Sequence, residues 1–185
     1  MKKLIAFALV MFPAVTLAHV GDHGLHNWSA GFLHPLTGLD HMLALVATGL
    51  WLAQSETRGK LGFTAGFALV LALAMVVGMQ FTHVTLEAGI IATLVVLGAL
   101  MACAIRGPLA LRALAVAATA AIHGFVHGTE LPANAATFAA ALILSSLLVL
   151  GAALLAGTQI RTWAQGLVAR IAGAVLILLG LGMTI

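Results

Sequence analysis

The sequence predicts an all-α membrane protein, a polytopic bundle of six transmembrane helices that follows an N-terminal cleavable signal peptide. Of the 185 residues, 63% are hydrophobic and 7% are charged, whereas charged residues make up about 25% of a typical soluble domain. The mean hydropathy is +1.18. Because a spanning helix takes about 20 apolar residues, the length allows one bundle of about five to seven helices and no soluble domain.

The first 18 residues have the plan of a bacterial signal peptide. Two lysines follow the initial methionine, an apolar run extends to Leu17, and Ala18 offers a small residue at a cleavage point. The apolar run is too short to span a membrane comfortably. We therefore expect residues 1–18 to be removed, which leaves residues 19–185 as one transmembrane domain. An uncleaved first helix is the alternative. In both cases the next segment begins outside the cytoplasmic membrane.

Six apolar stretches then follow in order. Trp28 and Trp51 stand near opposite ends of the first, as the aromatic belts of a spanning helix do. Gly62 and Gly66 in the second are spaced to let another helix approach closely. Cys103 lies in the third, where we expect a small packed residue, and as the one cysteine it can form no intramolecular disulfide. The expected spans are residues 30–53, 61–80, 86–105, 109–131, 135–157 and 164–185, with 159–170 partly at the membrane interface.

The basic residues give the orientation. Once the signal peptide is removed, all six remaining lysines and arginines fall in the loops 54–60, 106–112 and 158–170. The positive-inside rule places these loops in the cytoplasm. We therefore expect a protein of the bacterial cytoplasmic (inner) membrane with a periplasmic mature N-terminus. Because the basic residues are scattered in short loops and form no basic face, we expect no nucleic-acid partner.

The histidines and acidic residues are sorted to the opposite side. Every one of them except Glu56 falls at the outer end of a span or outside it: His19, Asp22, His23, His26, His34, Asp40, His41, His83, Glu87, His123, His127 and Glu130. The tract from His19 to His26 is a short histidine-rich segment of the kind associated with metal binding, and we interpret it as a low-affinity collector of ions. Segregation of this kind indicates an outward-facing site.

The stretch from His34 to Leu52 places two histidines and an aspartate at the mouth of an apolar helix. A charged residue inside a bilayer costs roughly 2.5 to 3.5 kcal/mol, so Asp40 indicates a functional site and needs a partner. On a continuous helix, His34 and His41 are seven residues apart and lie on nearly the same face. Asp40 then points about a third of a turn away.

A second group lies in the fourth span. His123, His127 and Glu130 stand at positions i, i+4 and i+7, on one stripe about 60 degrees wide. Gly124 and Gly128 leave backbone room beside the two imidazoles. At the rise of a helix, both groups lie about 6 to 15 Å in from the outer ends of their spans. The two groups can therefore share one pocket.

Imidazoles with carboxylates, and no thiolate cluster, suit a borderline divalent transition metal such as Ni, Co or Zn. Glu87 and Glu130 at the outer mouth would draw cations in, and Asp40 either ligates the ion or orients a histidine. We expect no catalytic residue and no organic cofactor, with the divalent ion and the lipid bilayer as partners and the oligomeric state left open. The predicted metal residues are His34, Asp40, His41, Glu87, His123, His127 and Glu130.

The segment His34–His41, His-Pro-Leu-Thr-Gly-Leu-Asp-His, resembles the signature His-Pro-x-Ser-Gly-x-Asp-His of the HupE/UreJ family of bacterial nickel permeases. Residues 123–132 resemble the family's other segment, with its His-Gly and His-Gly-x-Glu elements. The chain departs from the pattern at Thr37, where serine is usual, at Leu45, where methionine is common, and at Phe125, where many members add a histidine. The resemblance covers essentially the whole chain. It implies uptake of Ni(II), or in some members Co(II), for hydrogenase or urease maturation.

The residues by themselves leave other functions open. A membrane-bound haem or quinone electron carrier would use paired histidines on two helices. An intramembrane metalloenzyme would hold a catalytic zinc with two histidines and an acid, although no glutamate stands in an HExxH arrangement here. A non-transporting metal-binding accessory protein or sensor would use the same ligands. If the protein is a permease, we expect no enzymatic activity. The sequence shows no ATP-binding loop, so we expect transport to be passive or coupled to an ion gradient.

Overall fold

The computed structural model describes residues 28–54, 59–81, 84, 86–131, 135–164 and 166–183, with the side chains of 160–164 left aside. Within these residues the protein is all-helical, which confirms the all-α part of the predicted fold class. The predicted signal peptide, the histidine-rich tract at His19, His23 and His26, and His83 lie outside the described residues. The helices are α1 (Trp28–Thr37), α2 (Leu39–Ala53), α3 (Lys60–Gly78), α4 (Glu87–Ala102), α5 (Leu109–Glu130), α6 (Ala136–Ala164) and α7 (Leu167–Gly182).

Three of these helices are long and apolar enough to cross a membrane, namely α3, α5 and residues Ala136–Gln159 of α6. The helices α1 and α2 pass the same test together, as a pair bent by 75°. At 16 residues each, α4 and α7 are about 24 Å long, less than the roughly 30 Å of a bilayer's hydrocarbon core. The described residues thus contain three or four candidate spans, and the six-span topology stays a prediction.

The first predicted span, 30–53, is wrong as a continuous helix. Gly38 separates α1 from α2 with an extended conformation, φ −78° and ψ 108°. The hydroxyl of Thr37 donates to the carbonyls of Leu33 and His34 at 3.2 Å each and so closes the end of α1. At the start of α2, the carboxylate of Asp40 accepts the next backbone amide at 2.8 Å. Because the broken ends find side-chain partners, the break is stabilised locally.

The other predicted spans each correspond to one helix, and several of their ends shift by a few residues. The fifth predicted span ends at 157, but α6 continues to Ala164. The segment 159–170, which we expected to lie partly at the interface, is therefore helical up to Ala164. The chain then turns at Gly166, whose φ of +90° lies in the left-handed region that favours glycine.

Glycines mark the closest helix contacts, but not where the sequence predicted them. A Cβ on Gly124 or Gly128 would run into backbone carbonyls of α3, so these glycines serve the packing of α3 on α5 and leave no extra room beside the imidazoles. A Cβ on Gly62 or Gly66 would meet no described atom within 4 Å. The predicted helix contact at these two positions is therefore absent from the described part of the chain.

Two further single-residue expectations are wrong. Trp51 was expected in an aromatic belt, yet it is 2% exposed, and its indole N–H donates to the carbonyl of Ile105 at 2.8 Å. It therefore ties α2 to the loop after α4. Trp28 is exposed, as an interfacial residue would be. Cys103 was expected to be packed, but it is exposed where α4 ends.

The bundle brings α1, α2 and α5 together at one end. The helix α2 packs against α4 and α6 and also contacts α5 and α7, while α1 lies on α6 and α5 lies on α3. Polar side chains are buried where these helices meet. The buried polar side chains among the described residues are Thr48, Thr93, Thr119, His123, His127, Ser145 and Ser146.

Candidate metal centre

Three histidines from three different helices converge in the bundle. His34 on α1, His41 on α2 and His127 on α5 each offer a ring nitrogen, and the three nitrogens lie within 4.8 Å of one another. We call these residues the three-histidine group. Two nitrogens bound at about 2.1 Å to one ion lie at most about 4.2 Å apart. The group therefore reaches ligand geometry with side-chain shifts of less than about an ångström.

The bend between α1 and α2 is what brings His34 and His41 together. Seven residues of an unbroken helix would separate them by about 10.5 Å along the axis. Their ring centroids instead lie 5.9 Å apart, across the 75° bend at Gly38. The two histidines are thus neighbours as the sequence suggested, but through a tertiary bend and not through a shared helix face.

Asp40 orients His41 by a short hydrogen bond. The Nδ1 atom of His41 lies 2.7 Å from Oδ1 of Asp40. Because a carboxylate can only accept, Nδ1 carries the hydrogen and Nε2 keeps a lone pair. That Nε2 atom is buried and has no hydrogen-bond partner. Of the two roles that the sequence left open for Asp40, the geometry matches a partner that orients a metal-binding imidazole.

His123 repeats this arrangement with a backbone acceptor. Its Nδ1 atom lies 2.8 Å from the carbonyl oxygen of Thr119, so Nδ1 again carries the hydrogen and Nε2 the lone pair. This second Nε2 is also buried without a partner. Leaving a buried polar atom unpaired costs about 1–3 kcal/mol. The rings of His41 and His123 have centroids 5.2 Å apart. A cation between them is a partner that fits both unpaired Nε2 lone pairs.

A small cavity adjoins the histidines. Its volume is about 10 Å³, which suits roughly one water-sized occupant. Imidazole and hydroxyl groups line it together with apolar side chains. The lining residues are Pro35, His41, Leu45, Phe67, Leu71, His123, His127 and Ser146. A single dehydrated metal ion fits this space, and a larger organic group does not.

The two glutamates lie apart from the histidines. Glu87 is the first residue of α4 and Glu130 the last of α5, and both are exposed. Glu130 is within electrostatic range of Glu87, Asp40 and His41. Both glutamates thus lie at helix ends outside the three-histidine group, and their role at the mouth of a site stays a prediction.

One residue at the cavity was missed by sequence reasoning. Ser146 lies on α6, within the fifth of the predicted apolar spans, and it is 4% exposed and lines the cavity. The signal available in the sequence was the pair Ser145–Ser146, two neighbouring hydroxyls in the middle of an apolar run. A helical projection of the sequence does not show which of the two serines faces the histidines.

Comparisons with known proteins agree over nearly the full length. Residues 7–183 match the family described as HupE / UreJ protein. Protein HupE from Rhizobium leguminosarum bv. viciae is 33% identical over 190 residues, which cover 100% of this chain and 97% of that protein. No solved structure matches. The matched region includes every helix that supplies a histidine to the site.

Proposed function

The chain belongs to the HupE/UreJ family, and from this premise we propose that it is a permease that imports Ni(II) across the bacterial cytoplasmic membrane for hydrogenase or urease maturation. Co(II) and Zn(II) are the alternative cargoes. The observation that carries the proposal is the three-histidine group. It supplies three imidazole nitrogens from three helices in an otherwise apolar protein.

The donor chemistry supports a borderline dication as cargo. Neutral imidazole suits Ni, Co and Zn, whereas Ca and Mg prefer oxygen ligands. The carboxylate of Asp40 adds negative charge beside His41, which offsets the cost of desolvating a dication. The two glutamates at the mouth add further negative charge near the entrance. Attraction at the mouth and coordination inside are the first two steps that an importer needs.

The direction of transport follows from the charge distribution. With the arginine- and lysine-bearing loops in the cytoplasm, the glutamates and the three-histidine group face the periplasm. The predicted signal peptide and the periplasmic histidine-rich tract belong to the same topology. An ion would enter from the periplasm, bind the histidines and leave toward the cytoplasm.

Uptake of radioactive nickel by cells tests the proposal. Asp40→Ala removes the group that orients His41, and His127→Ala removes one ligand, so each should lower accumulation by about tenfold to a hundredfold. Cys103→Ser is the control. This thiol is exposed where α4 ends, and its replacement should leave uptake unchanged. If both test variants reach the membrane at the parent's level and accumulate as much nickel as the parent, the proposal is wrong.

Two alternatives make different predictions. A haem carrier needs room for a macrocycle between its histidines, but the rings of His41 and His127 are 4.6 Å apart and the cavity is about 10 Å³. The geometry therefore opposes haem, and purified protein should show no Soret band. A metal-binding accessory protein would bind nickel without moving it. The apolar inner lining of the cavity favours this alternative, because it offers an ion no further ligand. A protein of this kind would bind nickel when purified, but cells that carry it would not accumulate nickel.

A further inference from the structure

The cavity beside the three-histidine group is lined by two members of that group and by two further donors, His123 and Ser146. Resting on the proposed function, we propose a second, inner ion position, formed by the Nε2 atoms of His41 and His123 with the hydroxyl of Ser146 beside them. Nickel passes to it from the three-histidine group by exchanging His34 and His127 for His123 and Ser146 while it stays bound to His41.

The lining of the cavity separates the two positions. His41, His123 and His127 line it, whereas His34 does not. Conversely, His123 is not a member of the three-histidine group. His34 and His123 therefore mark opposite sides, with His41 in contact range of both, at ring-centroid distances of 5.9 Å and 5.2 Å.

The packing of α3 on α5 shows that the cavity extends inward. Gly124 meets Leu71, and four residues further out Gly128 meets the next turn of α3, so the two helices run in the same direction. Phe67, one turn before Leu71, is therefore about one turn inward of His123. Both Phe67 and Leu71 line the cavity and are at most 1% exposed. The cavity thus reaches from the histidines to apolar side chains that lie further inward.

The donors at the inner position suit a transient stop. His41 and His123 each direct an unpaired, buried Nε2 lone pair from a different helix, and α6 adds the buried Ser146. A neutral hydroxyl is a weaker ligand for a borderline dication than a third imidazole. Conduction requires sites that bind well enough to admit an ion and weakly enough to release it. An inner position with two nitrogens and one oxygen is weaker than the outer one with three nitrogens.

Variants that remove one donor each separate binding from passage. His123→Asn keeps an N–H group near the position of Nδ1, where it can still donate to the Thr119 carbonyl, and removes Nε2. It should leave the nickel Kd of the purified full chain within about twofold of the parent while nickel uptake by cells falls by more than about tenfold. His34→Ala should lower both binding and uptake by more than about tenfold.

Ser146→Ala has a matched control in its neighbour. Ser145 is also buried on α6 but does not line the cavity. Ser146→Ala should lower uptake by about threefold or more without changing the Kd, whereas Ser145→Ala should keep uptake within about twofold of the parent.

Three results would overturn the inner position. A parallel loss of binding and uptake in His123→Asn would mean a single four-histidine site. Parent-level uptake in both His123→Asn and Ser146→Ala would mean that no ion stops there. Equal effects of Ser145→Ala and Ser146→Ala would remove the role of the cavity. A failure of the proposed function is distinct, because the parent protein itself would then bind nickel without accumulating it.

Discussion

The two regions that supply the histidines hold them in different ways. The helix α5 is unbroken over 22 residues, so the spacing of four residues is enough to place His123 and His127 on one face. The helices α1 and α2 are bent by 75° at Gly38, and His34 meets His41 through that bend. Geometry in the first region is a property of the helix itself, whereas in the second it depends on a tertiary break.

The largest effect is expected where the two regions meet, at His41. Its ring contacts those of His34, His123 and His127, with centroids 4.6 to 5.9 Å away. His41→Asn keeps a donor for Asp40 but removes the Nε2 ligand that both proposed ion positions share. We expect nickel affinity to fall about a hundredfold or more, measured by calorimetric titration of the purified protein. An affinity within about twofold of the parent would mean that neither region needs this nitrogen.

In the α5 region, disruption should first appear as lost stability. A Cβ at Gly128 would overlap the carbonyl oxygen of Met75 and lie 2.9 Å from Cα of Gly78. Since α3 and α5 would have to separate, we expect Gly128→Ala to cost about 1–3 kcal/mol, seen as a lower midpoint of thermal unfolding in detergent. Gly66→Ala is the control, since a Cβ there meets nothing within 4 Å. An unchanged midpoint for Gly128→Ala would contradict close backbone packing of these helices.

At the bend, the same substitution should act on binding instead. The φ and ψ of Gly38 are open to any residue, so its small size matters only through contacts. A Cβ there would lie 3.1 Å from Nδ1 of His41 and 3.3 Å from Oδ1 of Asp40. We expect Gly38→Ala to displace this hydrogen-bonded pair and weaken nickel binding about tenfold, with an unfolding midpoint close to the parent's.

Gly62→Ala serves as the matched control for the bend, because its Cβ meets nothing within 4 Å and it should bind nickel like the parent. Two outcomes would reverse the contrast between the regions. Gly38→Ala could lower stability as much as Gly128→Ala with no change in affinity. Alternatively, Gly128→Ala could weaken binding more than Gly38→Ala does.

This contrast also explains what could be predicted from the sequence. The stripe of His123 and His127 follows from helical periodicity, which is local, and the structure has it. The bend at Gly38 was missed because the sequence was projected as one continuous helix. The hydrogen bonds that close the bend come from Thr37 and Asp40, which were considered for other roles. Asp40 drew attention as a buried charge in need of a partner. Its partner is its own neighbour, a contact that an ideal-helix projection does not show.

Other errors concern direction. A glycine in a spanning helix indicates a close neighbour, but the neighbour's position depends on the whole bundle. Gly124 therefore faces α3 instead of the imidazoles, and Gly62 faces no described atom. The same uncertainty hid Ser146, since one of two adjacent serines had to face the histidines. The number of spans depends on lengths near a threshold, and α4 and α7 at 16 residues fall below it.

The smallest effect is expected at Thr37, which lies beside the bend and is none of the proposed ligands. Its hydroxyl donates to the carbonyls of Leu33 and His34, so it supports the end of α1 and thereby the position of His34. Thr37→Ser keeps the hydroxyl and should match the parent. Thr37→Val removes one net hydrogen bond, worth about 0.5–1.5 kcal/mol, and should weaken nickel binding by no more than about tenfold. If the Thr37→Ser and Thr37→Val variants bind nickel equally well, the hydrogen bonds of Thr37 do not hold the bend. The position of His34 would then depend on Gly38 and Asp40 alone, and the contrast with α5 would be smaller than we infer.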